Sequence, residues 1–147
     1  LLRSAIPADL LAVTDWLMPN EVEFAVLAGI AGDPSDAALS EFAARIGTRL
    51  VVTLGARGAA LVGEDGMVTR VLAVPVTPID TTGAGDAFVG AFAVGLALGL
   101  SELAAVSLGV RCASDSVTRP GTQASFPDPE RCAAILAEVP PQSSETS

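Results

Sequence analysis

The sequence predicts an α/β domain, on three observations. Leu50-Val51-Val52-Thr53 is a continuous apolar and β-branched run, the pattern of a strand covered on both faces and so of a mostly parallel sheet. Helical stretches stand on either side of it, Ser35 to Arg45 before and Asp86 to Gly99 after, as helix packed on sheet requires. Half of the 147 residues are hydrophobic, enough for one domain with a core of its own.

In chain order, a short helix is expected from Pro7, with Asp9 in its first turn and Leu10, Leu11 and Val13 apolar. Trp16-Leu17-Met18 reads as a brief buried strand that Pro19 stops. Asn20 is a natural N-cap with Glu23 three positions on, the spacing of a capping box. Ser35 to Arg45 is an amphipathic helix, capped by Ser35 or Asp33 and ended near Gly47. After the strand at Leu50, the glycines of Leu54-Gly55-Ala56-Arg57-Gly58 mark a loop. Ala59 to Val62 and Val68 to Leu72 then form a hairpin around Glu64-Asp65-Gly66.

The chain is organised around Asp80-Thr81-Thr82-Gly83-Ala84-Gly85-Asp86-Ala87-Phe88-Val89-Gly90. It follows a Pro-rich approach (Pro75, Pro78) and turns from loop into helix at Gly83 and Gly85. Glycine permits positive φ and a close ligand approach. The first amides of a helix lack partners within it, and its dipole attracts anions. Asp86 puts a carboxylate in that same turn. An acid beside an anion site suits phosphoryl transfer: amides take up charge on the moving group while the carboxylate accepts the attacking hydroxyl's proton. The apolar run from Ala87 to Leu100 falls short of the roughly 20 residues that span a bilayer. Being apolar on all sides, it is expected to be buried. Ser101 caps a further helix reaching about Ser114, a loop occupies Ser116 to Pro127, and a last helix starts at Asp128-Pro129. Residues 1–139 are expected to form the domain, with 140–147 a disordered polar tail.

Composition removes several classes of function. A net charge of -9 argues against a nucleic-acid partner. The absence of histidine, and the spacing of Cys112 and Cys132, argue against a zinc site or a His-based triad. The two thiols suit a reduced, cytoplasmic protein, and neither a signal peptide nor a membrane partner is expected. No P-loop is present, and the glycines at 83, 85 and 90 miss the dinucleotide-binding spacing, since position 88 is Phe.

Asp-Thr-Thr-Gly-Ala-Gly-Asp-Ala-Phe at Asp80 to Phe88 resembles the C-terminal signature of the PfkB-type carbohydrate kinases, which have the ribokinase-like fold. Asn20-x-x-Glu23, Thr53-Leu54-Gly55-x-x-Gly58 and the loop from Ser116 to Pro127 are similar to further motifs of that family. The resemblance implies the C-terminal part of a three-layer sandwich and ATP-dependent phosphorylation of a sugar's primary hydroxyl. Asp86 would meet the substrate hydroxyl as catalytic base. Gly83, Ala84 and Gly85 would form the anion hole, through the amides of Ala84, Gly85 and Asp86. Asn20, Thr53, Gly55, Arg57, Gly58 and Gly85 would line the nucleotide, and Glu23 would support Mg²⁺ through water. For a monovalent cation, usually K⁺, Asp80 and Ser125 would offer side-chain oxygens, and Thr82, Ser116, Arg119 and Gly121 backbone carbonyls. Through its likeness to the ribokinase-type loop, Thr-Arg-Pro-Gly-Thr-Gln-Ala-Ser, the resemblance further implies D-ribose, giving ribose 5-phosphate, over fructose, ketodeoxygluconate or a nucleoside.

The resemblance covers Asp9 to about Val139 but only about half of such a kinase. The N-terminal half of the family, with its Gly-Gly signature, most sugar contacts and a lid sheet, has no match here. A fragment is therefore expected, whose partners would be sugar and ATP together with further copies of the chain or a complementary N-terminal half. A catalytically incomplete remnant that binds nucleotide or a partner without turnover stays open as the rival reading.

Overall fold

The computed structural model describes residues 6–121 and 127–139. The chain divides into two compact units, Leu1–Arg70 and Val71–Ser147. The expectations for Ser125 and for the tail at 140–147 lie outside the described residues.

The first unit holds α1 (Ala8–Ala12), β1 (Trp16–Leu17), α2 (Glu21–Ala28), α3 (Asp36–Ile46), β2 (Arg49–Thr53), β3 (Ala59–Val62) and the start of β4 (Val68–Val71). Its sheet runs in the order β1-β2-β3-β4. Trp16 pairs with Arg49 and Leu17 with Leu50 in parallel, whereas β2 and β3 are antiparallel, from Leu50–Val62 to Thr53–Ala59. The expectation of a mostly parallel sheet therefore holds for β1–β2 and is corrected to a mixed sheet at β2–β3. The cause is the connection. A single 3-10 turn at Gly55–Arg57 joins β2 to β3, closed by the Leu54 amide donating to the Gly58 carbonyl at 2.8 Å. A link this short can only bring the chain back antiparallel, since a parallel crossover needs a dozen residues or more.

Leu50, Val51 and Val52 are all fully buried, so the double-sided cover inferred from the apolar run is real. Phe24, Leu39 and Phe42 pack over Leu50, Val52 and Ala60, with Phe24 edge-on to Phe42 at 5.1 Å. Each such side chain contributes about 1.5–3 kcal/mol by leaving water. Trp16 and Leu17 are only half-buried, and Met18 lies beyond the strand. Ser35 caps α3 by accepting from the Ala38 amide at 3.2 Å, and Gly47 ends the helix in the left-handed region. Asp33 is not the cap; it pairs with Arg57.

The second unit contains α4 (Ala84–Ala97), α5 (Glu102–Ser116) and α6 (Pro129–Glu138). Helices α4 and α5 approach closely because both use glycine at the contact. A Cβ on Gly109 would lie 2.8 Å from the Phe88 ring, and one on Gly95 would lie 3.1 Å from Ala105. Ala87, Phe88, Phe92 and Gly95 form the buried face of α4. Burial on all sides does not occur: Val89, Val94 and Leu98 are 40%, 54% and 61% exposed. Residues 88, 92 and 95 share one helical face, which α5 fills, and the described residues leave the other face open. Ile135 of α6 is buried with Leu108 and Cys112. Among the described residues, no helix is long and apolar enough to cross a membrane.

Candidate functional site

The turn into α4 is built by Gly83. It caps α4 at φ 82°, a conformation that a side chain would strain. The Thr81 carbonyl accepts from the Ala84 amide at 3.3 Å, so this member of the expected anion hole already has a partner. Among the described residues, the amides of Gly85 and Asp86 have no acceptor, as the first turn of a helix dictates. Asp86 is exposed in the same turn. It stands at one end of an apolar cavity of about 410 Å³, whose walls include Gly90, Val94, Leu108 and Leu136. Within this unit the chain thus sets one carboxylate and two amides on a single turn, beside an open cavity with apolar walls.

A second cluster adjoins this turn in sequence. Asp80 accepts from the Thr82 amide at 2.8 Å through one oxygen and from the Gly121 amide at 3.0 Å through the other. The Val117 carbonyl accepts from the Ile79 and Asp80 amides at 2.7 and 3.2 Å. Together these bonds join the approach to α4 with the loop that follows α5. The Thr82 hydroxyl, then the Thr82 and Gly121 amides, hold the Asp80 carboxyl below its ordinary range. Thr82, Ser116, Arg119 and Gly121, all expected to offer carbonyls, belong to these two segments. An oxygen-only donor set fits a hard, weakly hydrated monovalent cation.

Of the expected nucleotide residues, all but Gly85 lie in the first unit. Asn20 and Glu23 form a reciprocal capping box at the start of α2: Asn20 Oδ1 accepts from the Glu23 amide and Glu23 Oε2 accepts from the Asn20 amide, both at 2.9 Å. This leaves the second carboxylate oxygen of Glu23 and the side-chain NH₂ of Asn20 for other partners. Asn20 bridges in parallel to Thr53, whose amide donates to the Pro19 carbonyl at 3.0 Å, so the cap and the end of β2 are adjacent. Gly55 and Gly58 have φ of 58° and 90° and shape the following turn. Arg57 is engaged by Glu21 and by Asp33, the latter at 3.0 Å. The Glu21 hydrogen bond leads, and Asp33 adds to it, in raising the Arg57 pKa above its ordinary value. Among the described residues, no three Asp, Glu or Cys side chains cluster as a ready metal site.

Sequence reasoning missed three acidic groups. Glu21 and Asp33 hold Arg57, and Asp115 sits almost buried between Arg119 and Arg131. The Asp115–Arg119 spacing of four was a legible signal, although Arg119 stands just past the end of α5; Arg131 belongs to another helix and gave none.

Comparison with known proteins gives the family. The pfkB family carbohydrate kinase profile matches residues 4–129. Deoxyribokinase of Salmonella typhi is 38% identical over 120 residues, covering 80% of this chain and 39% of that protein. Ribokinase of Arabidopsis thaliana, solved with ribose and ATP, superposes at a TM-score of 0.81 with 31% identity, over 92% of this chain and 45% of that one. Phosphofructokinase-2 of Escherichia coli, solved with potassium, gives 0.75 at 28% identity over 90% and 44%. The chain thus spans less than half the length of the proteins it matches.

Proposed function

The chain belongs to the pfkB family of carbohydrate kinases, and we propose that it carries the phosphoryl-transfer part of a sugar kinase that moves the γ-phosphoryl group of ATP to a primary hydroxyl of D-ribose. The observation that carries this reading is the first turn of α4, where the exposed Asp86 carboxylate follows the unpaired Gly85 amide. Asp86 accepts the hydroxyl proton as the sugar oxygen bonds to the γ-phosphorus and ADP departs. The Gly85 and Asp86 amides donate to the phosphoryl oxygens as charge builds on them. Ala84 joins them only by giving up its bond to Thr81. Asn20, Thr53, Gly55, Arg57 and Gly58 line the nucleotide. Ion pairing with Glu21 and Asp33 keeps the Arg57 side chain in place while it does so.

Glu23, through water, would support Mg²⁺, and Asp80, Thr82, Ser116, Arg119, Gly121 and Ser125 would hold K⁺; when bound, these ions supply positive charge against the phosphates. The potassium complex of phosphofructokinase-2 supports a monovalent cation, and the ATP complex of Arabidopsis ribokinase supports the nucleotide. Two free cysteines are consistent with a cytoplasmic protein.

Two further readings have their own support. Similarity to a deoxyribokinase favours 2-deoxyribose as acceptor. Coverage of only 39% of that relative favours a remnant that binds nucleotide, or a chain that works with a complementary N-terminal half or with further copies of itself. ADP release with ATP, Mg²⁺ and a panel of sugars, in K⁺ and then Na⁺ buffer, separates them. Ribose-dependent, K⁺-stimulated turnover is expected. A preference for 2-deoxyribose would reassign the substrate, and ATP binding without turnover for any sugar or added N-terminal half would leave the remnant.

A further inference from the structure

We propose that Asp115 is a positioning residue for the monovalent-cation loop: its carboxylate, held between Arg119 and Arg131, fixes the backbone of residues 116–121. The inference rests on the cation reading above.

Asp115 occupies an unfavourable place for an acid. It is 9% exposed and lies in the last turn of α5, where the helix dipole repels negative charge. Burial opposes its charged form, and the guanidiniums of Arg119 and Arg131 supply the charge that offsets it. Oδ1 accepts from Arg131 Nε at 2.8 Å, and Oδ2 accepts from Arg119. A buried ion pair rarely gives net stability over an apolar replacement, so its use points to specificity of geometry.

What the group organises is the start of the loop. The Asp115 carbonyl accepts from the Thr118 hydroxyl at 2.7 Å and from the Thr118 amide at 3.2 Å. Ser116 donates its hydroxyl to the Ala113 carbonyl at 2.8 Å, and its own carbonyl accepts from the Arg119 amide at 3.3 Å. A carbonyl has two lone pairs, so Ser116 keeps one for a cation. Arg119 is therefore held twice, by its backbone and by its guanidinium, while Arg131 ties α6 to the same carboxylate. Carbonyl ligands bind an ion well only when ordered beforehand, and groups that orient ligands typically change metal affinity by about 10–100-fold when removed.

The test is the melting temperature of the full chain during a KCl titration, with choline chloride holding ionic strength constant. Wild type is compared with Asp115→Asn, Arg131→Gln and, as a control in the first unit, Asp36→Asn, whose carboxylate pairs with Arg70. A rise with K⁺ is expected, with the half-saturating K⁺ concentration about tenfold higher in Asp115→Asn, shifted the same way in Arg131→Gln and unchanged in Asp36→Asn. Should Asp115→Asn fail to fold, Arg131→Gln, which keeps one arm, decides the matter. A lower melting temperature with an unchanged K⁺ midpoint would show a merely structural role and overturn the inference alone. No response of the wild type to K⁺ beyond choline would overturn the cation reading and the inference together.

Discussion

Asp80 grips Gly121 across the second unit, its carboxylate accepting the Gly121 amide at 3.0 Å while its other oxygen accepts the Thr82 amide at 2.8 Å. One half-buried side chain thereby couples the approach to α4 with the loop after α5. Its carboxyl is held below the ordinary value of 3.8, first by the Thr82 hydroxyl and then by the Thr82 and Gly121 amides. A depressed folded pKa gives stability that is present above the unfolded value and lost as pH falls through the folded one. Melting temperature should therefore decline below about pH 4, and Asp80→Asn should flatten that decline. An equal slope in the variant would show that the coupling lies elsewhere.

Gly109→Ala should destabilise the chain by about 1–3 kcal/mol, the usual cost of overpacking a core. The new methyl would meet the Phe88 ring at 2.8 Å and the Phe88 carbonyl at 3.1 Å, and that ring is buried. Urea denaturation followed by circular dichroism measures the loss. A variant as stable as wild type would mean that α4 and α5 can separate freely.

Asn20→Ala and Ser35→Ala each remove a cap, of α2 and α3 respectively, and each should cost about 1 kcal/mol of stability. Only the Asn20 variant should also weaken ATP binding measured by calorimetry. Equal ATP affinity in both would reduce Asn20 to a cap.

Much of this was legible in the sequence because the signals are local. The capping box follows from Asn20 and Glu23 three apart, the αL turn from Gly83 before an apolar helix, and the hairpin from Glu64-Asp65-Gly66 between two apolar runs. The antiparallel return of β3 was not legible, because a run such as Leu50-Val51-Val52 reports burial on both faces and says nothing of strand direction. The open face of α4 was missed for a related reason: hydropathy marks Val94 and Leu98 as apolar without saying what covers them. Arg131 was invisible as a partner of Asp115 because the two helices meet only through tertiary packing.

The most direct test of the account is sugar-dependent ADP release by wild type and Asp86→Asn, with ATP binding measured in parallel, adding a complementary N-terminal half if the chain alone is silent. Removal of a catalytic base should lower turnover by about 100-fold or more while ATP binding stays as in wild type. An Asp86→Asn chain that kept near-full turnover would contradict the assignment of Asp86, and with it the reading of the α4 turn as the site of phosphoryl transfer.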